Sequence, residues 1–88
     1  MFMEVAVYKA YAKKKAGGFL HFDIIVPQET AFTAVLAFGS EFLLGRLQED
    51  QSVTRKDCRF CYTTEIIPRW EMKIAQQGYY IHESQGCH

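Results

Sequence analysis

The clearest pattern in the chain lies between Phe19 and Val26. Leu20, Phe22, Ile24 and Val26 fall on one side of an extended backbone, and Phe19, His21, Asp23 and Ile25 fall on the other. A period of two predicts a strand, and Pro27, which has no N–H to give to a ladder, ends it. Ahead of it, Glu4 to Tyr11 alternates more loosely around the β-formers Val5, Val7, Tyr8 and Tyr11 and reads as a first strand. The charged stretch from Lys13 to Gly18 closes on Gly17-Gly18 and joins the two as a hairpin turn.

After Pro27 the period lengthens. A helix is predicted over 30–46, with Thr30 as N-cap and Gly45 near its end. On a helical wheel Ala31, Val35, Phe38 and Phe42 form one stripe. Phe32, Leu36, Leu43 and Leu47 form a second, about 120° away. Together they span roughly 180°, wider than the ~100° that one docked face needs. The second stripe must therefore meet a second helix, a loop or another molecule. Trp70 and Ile74 are the expected partners inside a monomer; a symmetric homodimer through Phe32, Leu36, Leu43 and Leu47 is the alternative. Gly39, in mid-helix at a cost of ~1 kcal/mol relative to Ala, predicts a close approach by another backbone.

The polar run from Gln48 to Ser52 reads as a loop, with a short strand at about 51–54. Thr54 to Asp57 has the pattern of a capped helical turn leading into Cys58. Pro68 and Gly78 frame a second helix, which carries Ile67, Trp70 and Ile74 on one side and Arg69, Lys73, Gln76 and Gln77 on the other. Tyr79 to Glu83 is the last strand. The order β-β-α-β-α-β predicts a single α/β domain of α+β type over residues 1–88, with an N-terminal hairpin in a mixed sheet and two helices packed on one face or on both.

Length and charge narrow the possibilities. The 88 residues are 49% apolar and 15% aromatic, enough to hide roughly 60–65% of the unfolded surface without obligatory metal or disulfide. Ten Lys and Arg balance ten Asp and Glu. Without a surplus of cations to displace counterions, non-specific nucleic-acid binding is not expected. A polyanion would need a local patch, and along the sequence Lys13-Lys14-Lys15 is the one candidate; it reads as a solvated turn. Glu4 and Lys9 interrupt the N-terminus, and no apolar run is long enough to cross a bilayer. The expectation is a cytoplasmic protein with no membrane partner. In a reducing compartment, three cysteines, an odd number, point away from a disulfide framework.

Those cysteines are the pointed chemical feature. Cys58-Arg59-Phe60-Cys61 is a C-x-x-C, with Cys87 and His88 at the end of the chain. Two thiols at i and i+3 on a tight turn converge on one tetrahedral ion, and zinc needs four such donors. Cys87 is the candidate third ligand, and the fourth is His21, His82 or His88. As a redox pair, Cys58 and Cys61 would want a helix directly after the motif, but Tyr62-Thr63-Thr64 is poor helix material. Covalent haem attachment needs His after the second Cys, and Tyr62 stands there. The third reading is packing, since free Cys behaves as a small hydrophobe. His21 and Asp23 share one face of the second strand, where an Asp can orient a metal-bound or basic His; a polar strand face accounts for them equally simply.

Taken together, His21-Phe22-Asp23, Asp57-Cys58-Arg59-Phe60-Cys61, Gly78-Tyr79-Tyr80-Ile81 and Gly86-Cys87 resemble a small bacterial family known as domain of unknown function 2024. The resemblance runs nearly end to end. It implies the same compact α/β fold and no particular activity. His21, Cys58, Cys61 and Cys87 fall on the family's motif positions and His82 and His88 do not, which makes His21 the fourth member of the candidate metal set. Family members often carry His directly after the second Cys; Tyr62 departs from that, which weakens any scheme using a ligand or base there. Three functions follow as expectations: a binding or accessory domain with a zinc-type Cys-rich site, a thiol-disulfide oxidoreductase using Cys58 and Cys61, and a structural homo-oligomer with chemically silent cysteines.

Overall fold

A computed structural model describes residues 3–14, 17–47 and 53–84. Strand β1 (Glu4–Lys13) and strand β2 (Phe19–Pro27) form the expected hairpin, with Lys13 opposite Phe19 and Val5 opposite Pro27. Gly17 and Gly18 take the left-handed backbone that the turn requires, with φ of 109° and 78°. Helix α1 (Phe32–Leu47) follows, then a single 3-10 turn (Arg55–Asp57), strand β3 (Cys58–Glu65), helix α2 (Pro68–Gln77) and strand β4 (Tyr80–Ser84). The order of elements is the one the sequence predicts.

Four details differ from the sequence reading. The sheet, β3-β1-β2-β4, is antiparallel at every pairing rather than mixed. The α1 crossover does return the chain in the direction of β2, but β1 lies between β2 and β3, so the two co-directional strands never touch. The third strand lies at Cys58–Glu65 rather than at about 51–54; Val53 and Thr54 are not in a strand, and 51–52 lie outside the described residues. The first intrahelical bonds of α1 run to the carbonyl of Ala31, so Ala31 and not Thr30 is the residue at the cap. The fourth concerns what covers the second stripe of α1, and it follows from the faces the helices occupy, which the sequence left open.

The two helices lie on opposite faces of the sheet. Helix α1 packs over Ala6, Ala10, Ala12, Leu20, Phe22, Ile24 and Val26, the face predicted for it. Helix α2 packs its Ile74 and Trp70 under Val5, Val7, Ile25 and Tyr80. Trp70 and Ile74 therefore do not cover the second stripe of α1. The sheet and the segment at Val53 do so instead. Leu43 is fully buried, and Phe32 and Leu36 are half-buried against the same core; the side chain of Leu47 lies outside the described residues. The surface named as the alternative dimer face is thus partly covered within the chain, at Leu43 fully and at Phe32 and Leu36 by half.

Gly39 explains how. A Cβ there would stand 3.0 Å from both Ile24 Cδ1 and Val53 Cγ2, so the close approach at Gly39 is by two side chains rather than by a backbone. Ser40 holds Val53 in place by accepting its N–H at 2.9 Å. At the far end of α2, Gly78 stops the helix in the left-handed conformation, φ 92°, and its N–H donates to the Ile74 carbonyl. No helix among the described residues is long and apolar enough to cross a membrane.

Candidate functional site

The two helices do not cover the sheet equally. Val5-Ala6-Val7 in β1 and Ile24-Ile25-Val26 in β2 are buried without a break, because both faces are roofed there. Toward the hairpin turn the burial alternates again. Ala10, Ala12, Leu20 and Phe22 stay under α1, whereas Lys9, Tyr11, Lys13, Phe19 and His21 on the opposite face are exposed. Among the described residues nothing from α2 packs on this half of its face.

The open half is laid out in rows. Lys9 lies between Arg59 of β3 and Asp23 of β2, and Asp23 pairs onward with His82 of β4. The Lys9 ammonium donates to Asp23 at 3.2 Å. In the next row Tyr11 faces His21, which faces Ser84. Tyr11, His21 and Phe19 form an aromatic group. Tyr11 and Phe19 meet edge to face at 5.6 Å between centroids, and His21 lies 6.2 and 6.4 Å from them.

A cleft of about 440 Å³ opens at the edge of this surface. Its cause is a mismatch of strand lengths. Strand β3 begins at Cys58, opposite Ala10, whereas β1 runs on to Lys13. The 3-10 turn stands beside the unpaired stretch of β1. The Asp57 carboxylate braces that turn, accepting from the Thr54 N–H at 3.2 Å and from the Thr54 hydroxyl at 2.8 Å. Lys9, Arg55, Lys56 and Arg59 line the cleft, together with Tyr11 and His21. The Arg55 guanidinium lies over the Phe32 ring, 5.2 Å from its centroid, on the α1 side of the sheet, so Arg55 borders the cleft from the side opposite Lys9, Tyr11 and His21. Against these four cations stand two carboxylates, Asp57 in the lining and Asp23 bonded to Lys9.

The predicted metal set fares differently residue by residue. Cys58 and Cys61 do not sit on a tight turn. Both belong to strand β3, and an extended chain advances about 3.3 Å per residue, which puts their Cα atoms roughly 10 Å apart. That is beyond the ~7 Å at which two cysteines can be bridged without moving the backbone. Val7 pairs with Tyr62 and Tyr8 with Phe60, so Cys61 is the extra residue of a β-bulge and is exposed. Cys58 points into the α1 core and is only 4% exposed. Desolvation, with a smaller contribution from the Asp57 charge, pushes its thiol up to about 11. His21 lines the same cleft as Cys58. Cys87 and His88 lie outside the described residues, and among those described no three His, Cys, Asp or Glu side chains are gathered to hold an ion.

The cationic cleft has no contiguous signature in the sequence, because its charges come from two segments more than forty residues apart, whereas Lys13-Lys14-Lys15 is contiguous. The signal that was available is the density of Arg55, Lys56 and Arg59 within one short stretch.

Comparison with known proteins accords with this fold. The NMR structure of protein NE1680 from Nitrosomonas europaea, a structural genomics target, superposes with a TM-score of 0.79 at 31% identity, covering 98% of this chain and 100% of that one. Comparison with curated proteins gave no match. The profile of the family described as a domain of unknown function, DUF2024, matches residues 3–84, so the chain belongs to that family.

Proposed function

We propose that the protein is a binding or accessory domain that holds an anionic ligand in the cleft between β1 and the 3-10 turn. The observation that carries this is that Lys9, Arg55, Lys56 and Arg59 all line one cleft in a chain of zero net charge. Like charges gathered at close range repel one another, and an anion relieves that repulsion. The planar guanidinium groups of Arg55 and Arg59 suit the oxygens of a phosphate or carboxylate. The volume falls in the range of sites for small organic ligands. Thiol-disulfide catalysis ranks lower, since the buried Cys58 thiol is a poor nucleophile and its partner stands too far along the strand.

A second reading keeps zinc at Cys58, Cys61, Cys87 and His21. It is supported by the register of Ser84 against His21, which brings β4 to an end three residues before Cys87; the buried Cys58 thiol faces α1, on the side of the sheet opposite His21. It ranks second because the same four cations oppose a divalent ion. Metal analysis of protein purified without chelator separates the two readings.

The test is a titration of the full chain with inorganic phosphate, followed by amide NMR shifts. Shifts centred on residues 9 and 55–59 are expected, weakening as salt is raised. The Arg59→Ala variant, an exposed change, should bind roughly tenfold or more weakly, the loss expected for one charge-assisted hydrogen bond. Saturating shifts absent from that region, or unchanged binding in both Arg59→Ala and Lys56→Ala, would overturn the proposal.

A further inference from the structure

The geometry points to a ligand that carries a planar aromatic base as well as a phosphate: a nucleotide, held with its phosphate in the cationic cleft and its base on the open sheet face. This rests on the anion-binding reading and names the ligand class of the same site.

The argument starts from Tyr11 and His21. Both line the cleft, and both belong to the aromatic group on the half of the sheet that α2 leaves uncovered among the described residues. The cationic and aromatic surfaces are therefore one continuous surface. Phe19 extends it. Phe19 is 53% exposed and Tyr11 40%, although each is large enough to have been buried. Neither is needed by the core beneath, which is supplied by Ala10, Ala12, Leu20 and Phe22 on the other face. Three exposed rings within 5.6–6.4 Å of one another, tilted against each other, form an aromatic cluster on the hairpin with ring faces open to stacking.

Exposed rings on a sheet surface, flanked by cations, are a physically apt receptor for nucleobases. Every base presents a π-face that stacks on an aromatic side chain, and its phosphate is neutralised by nearby Lys or Arg. The register supplies the flanking charge, with Arg59 and Lys9 in the row beside Tyr11 and His21, and Lys13 opposite Phe19. An anion lacking a ring would use only the cleft, and an apolar ring lacking a phosphate would use only the aromatic cluster. A nucleotide uses both. The zero net charge does not oppose this, because among the described residues two carboxylates, Asp57 and Asp23, reach the site against four cations.

The nucleotide could be free or could be one unit of a single strand, and the probes distinguish the two. The full chain is titrated separately with inorganic phosphate, with AMP and with a six-nucleotide single-stranded RNA, followed by amide and aromatic NMR shifts. AMP is expected to bind more tightly than phosphate and to move Tyr11, Phe19 and His21 as well as the cleft. The Tyr11→Ala/Phe19→Ala double variant, which removes only exposed rings, should bring AMP back to the affinity of phosphate, a loss of roughly tenfold or more. A preserved amide spectrum of that variant shows that it is folded. Tighter binding of the hexamer than of AMP assigns the site to a single strand; equal binding assigns it to the free nucleotide. If AMP and phosphate bind alike, or if the double variant binds AMP as well as the parent, the aromatic base site is refuted while the anion cleft stands. If no probe moves the cleft, both readings fail.

Discussion

Replacing each of the two neighbouring cysteines by serine should give opposite results, although the substitutions are chemically identical and three residues apart. Cys58 is 4% exposed within the α1 core. Serine there puts a hydroxyl among apolar neighbours, at a cost of about 1–3 kcal/mol. In a domain of this size each kcal/mol lowers the melting temperature by about 4–8 °C. Cys61 is exposed at the bulge, and serine there should change stability by no more than about 0.5 kcal/mol. Thiol reactivity should divide in the same way. Burial raises the Cys58 thiol from an ordinary 9.0 to about 11, which leaves roughly 100-fold less thiolate at neutral pH. A more basic thiolate is a better nucleophile, and this recovers about tenfold. The intrinsic rate therefore falls about tenfold, and the covering core slows it further. Thermal melts of Cys58→Ser and Cys61→Ser, with iodoacetamide labelling of native Cys87→Ser protein followed by peptide mass spectrometry, test this directly. Equal labelling of Cys58 and Cys61 in the folded state, or coincident melts of the two variants, would refute the placement of Cys58 and restore the thiol pair as a catalytic candidate.

Two further expectations concern stability. It should fall as pH rises from about 9, because Cys58 and Tyr79 hold their protons more tightly in the folded state, to about 11 and about 12; burial is the main cause for both, with Tyr79 also donating to Glu41 at 3.0 Å. The unfolded chain loses those protons first, so between pH 9 and 12 it binds fewer protons than the native state, and the sign is destabilising. Urea midpoints across that window should decline, and Cys58→Ala should remove the earlier part of the decline; a flat profile contradicts the burial of these groups. The adjacent leucines of α1 test its rotation: Leu43 is 0% exposed and Leu44 57%, so Leu43→Ala should cost about 2–5 kcal/mol and Leu44→Ala no more than about 0.5. A reversal would show that α1 is turned the other way, and a Leu43→Ala variant of full stability but altered sedimentation would return that face to a dimer.

What the sequence disclosed depended on whether burial writes a period into it. Strand β2 was legible from Phe19 to Val26 because one of its faces is core throughout. Its change from alternation to the unbroken Ile24-Ile25-Val26 also marks where α2 begins to cover the second face, so the edge of the open surface was present in the sequence. Helix α2 was legible because Pro68 and Gly78 have separate physical reasons to stand at its ends. Strand β3 was not. It is an edge strand whose residues after Cys58 are mostly exposed, so no face selects for apolar residues, and the bulge at Cys61 breaks what period remains. The β-forming run Tyr62-Thr63-Thr64 argued against a helix after the cysteines, and the same residues favour the strand that is there. Spacing alone suggested convergence of Cys58 and Cys61, but i and i+3 meet only on a turn. The anion cleft was hidden for a different reason: it exists because β1 outruns β3, and relative strand length is a property of the assembled sheet.

The order β3-β1-β2-β4 has a consequence for how the chain reaches this state. Its first two strands form the centre of the sheet and its last two form the rims. A polypeptide synthesised from the N-terminus thus completes the middle of its sheet first. Until 58–65 and 80–84 have left the ribosome, both sides of the hairpin present unpaired backbone N–H and C=O groups. The interval of exposure differs between the two sides. The β1 side waits for a strand more than forty residues away, and the β2 side for one that begins more than fifty residues after Pro27. During that interval Glu4, Lys9, Lys13, Lys14, Lys15 and Asp23 are the charges available on the hairpin to discourage a neighbouring nascent chain from pairing there.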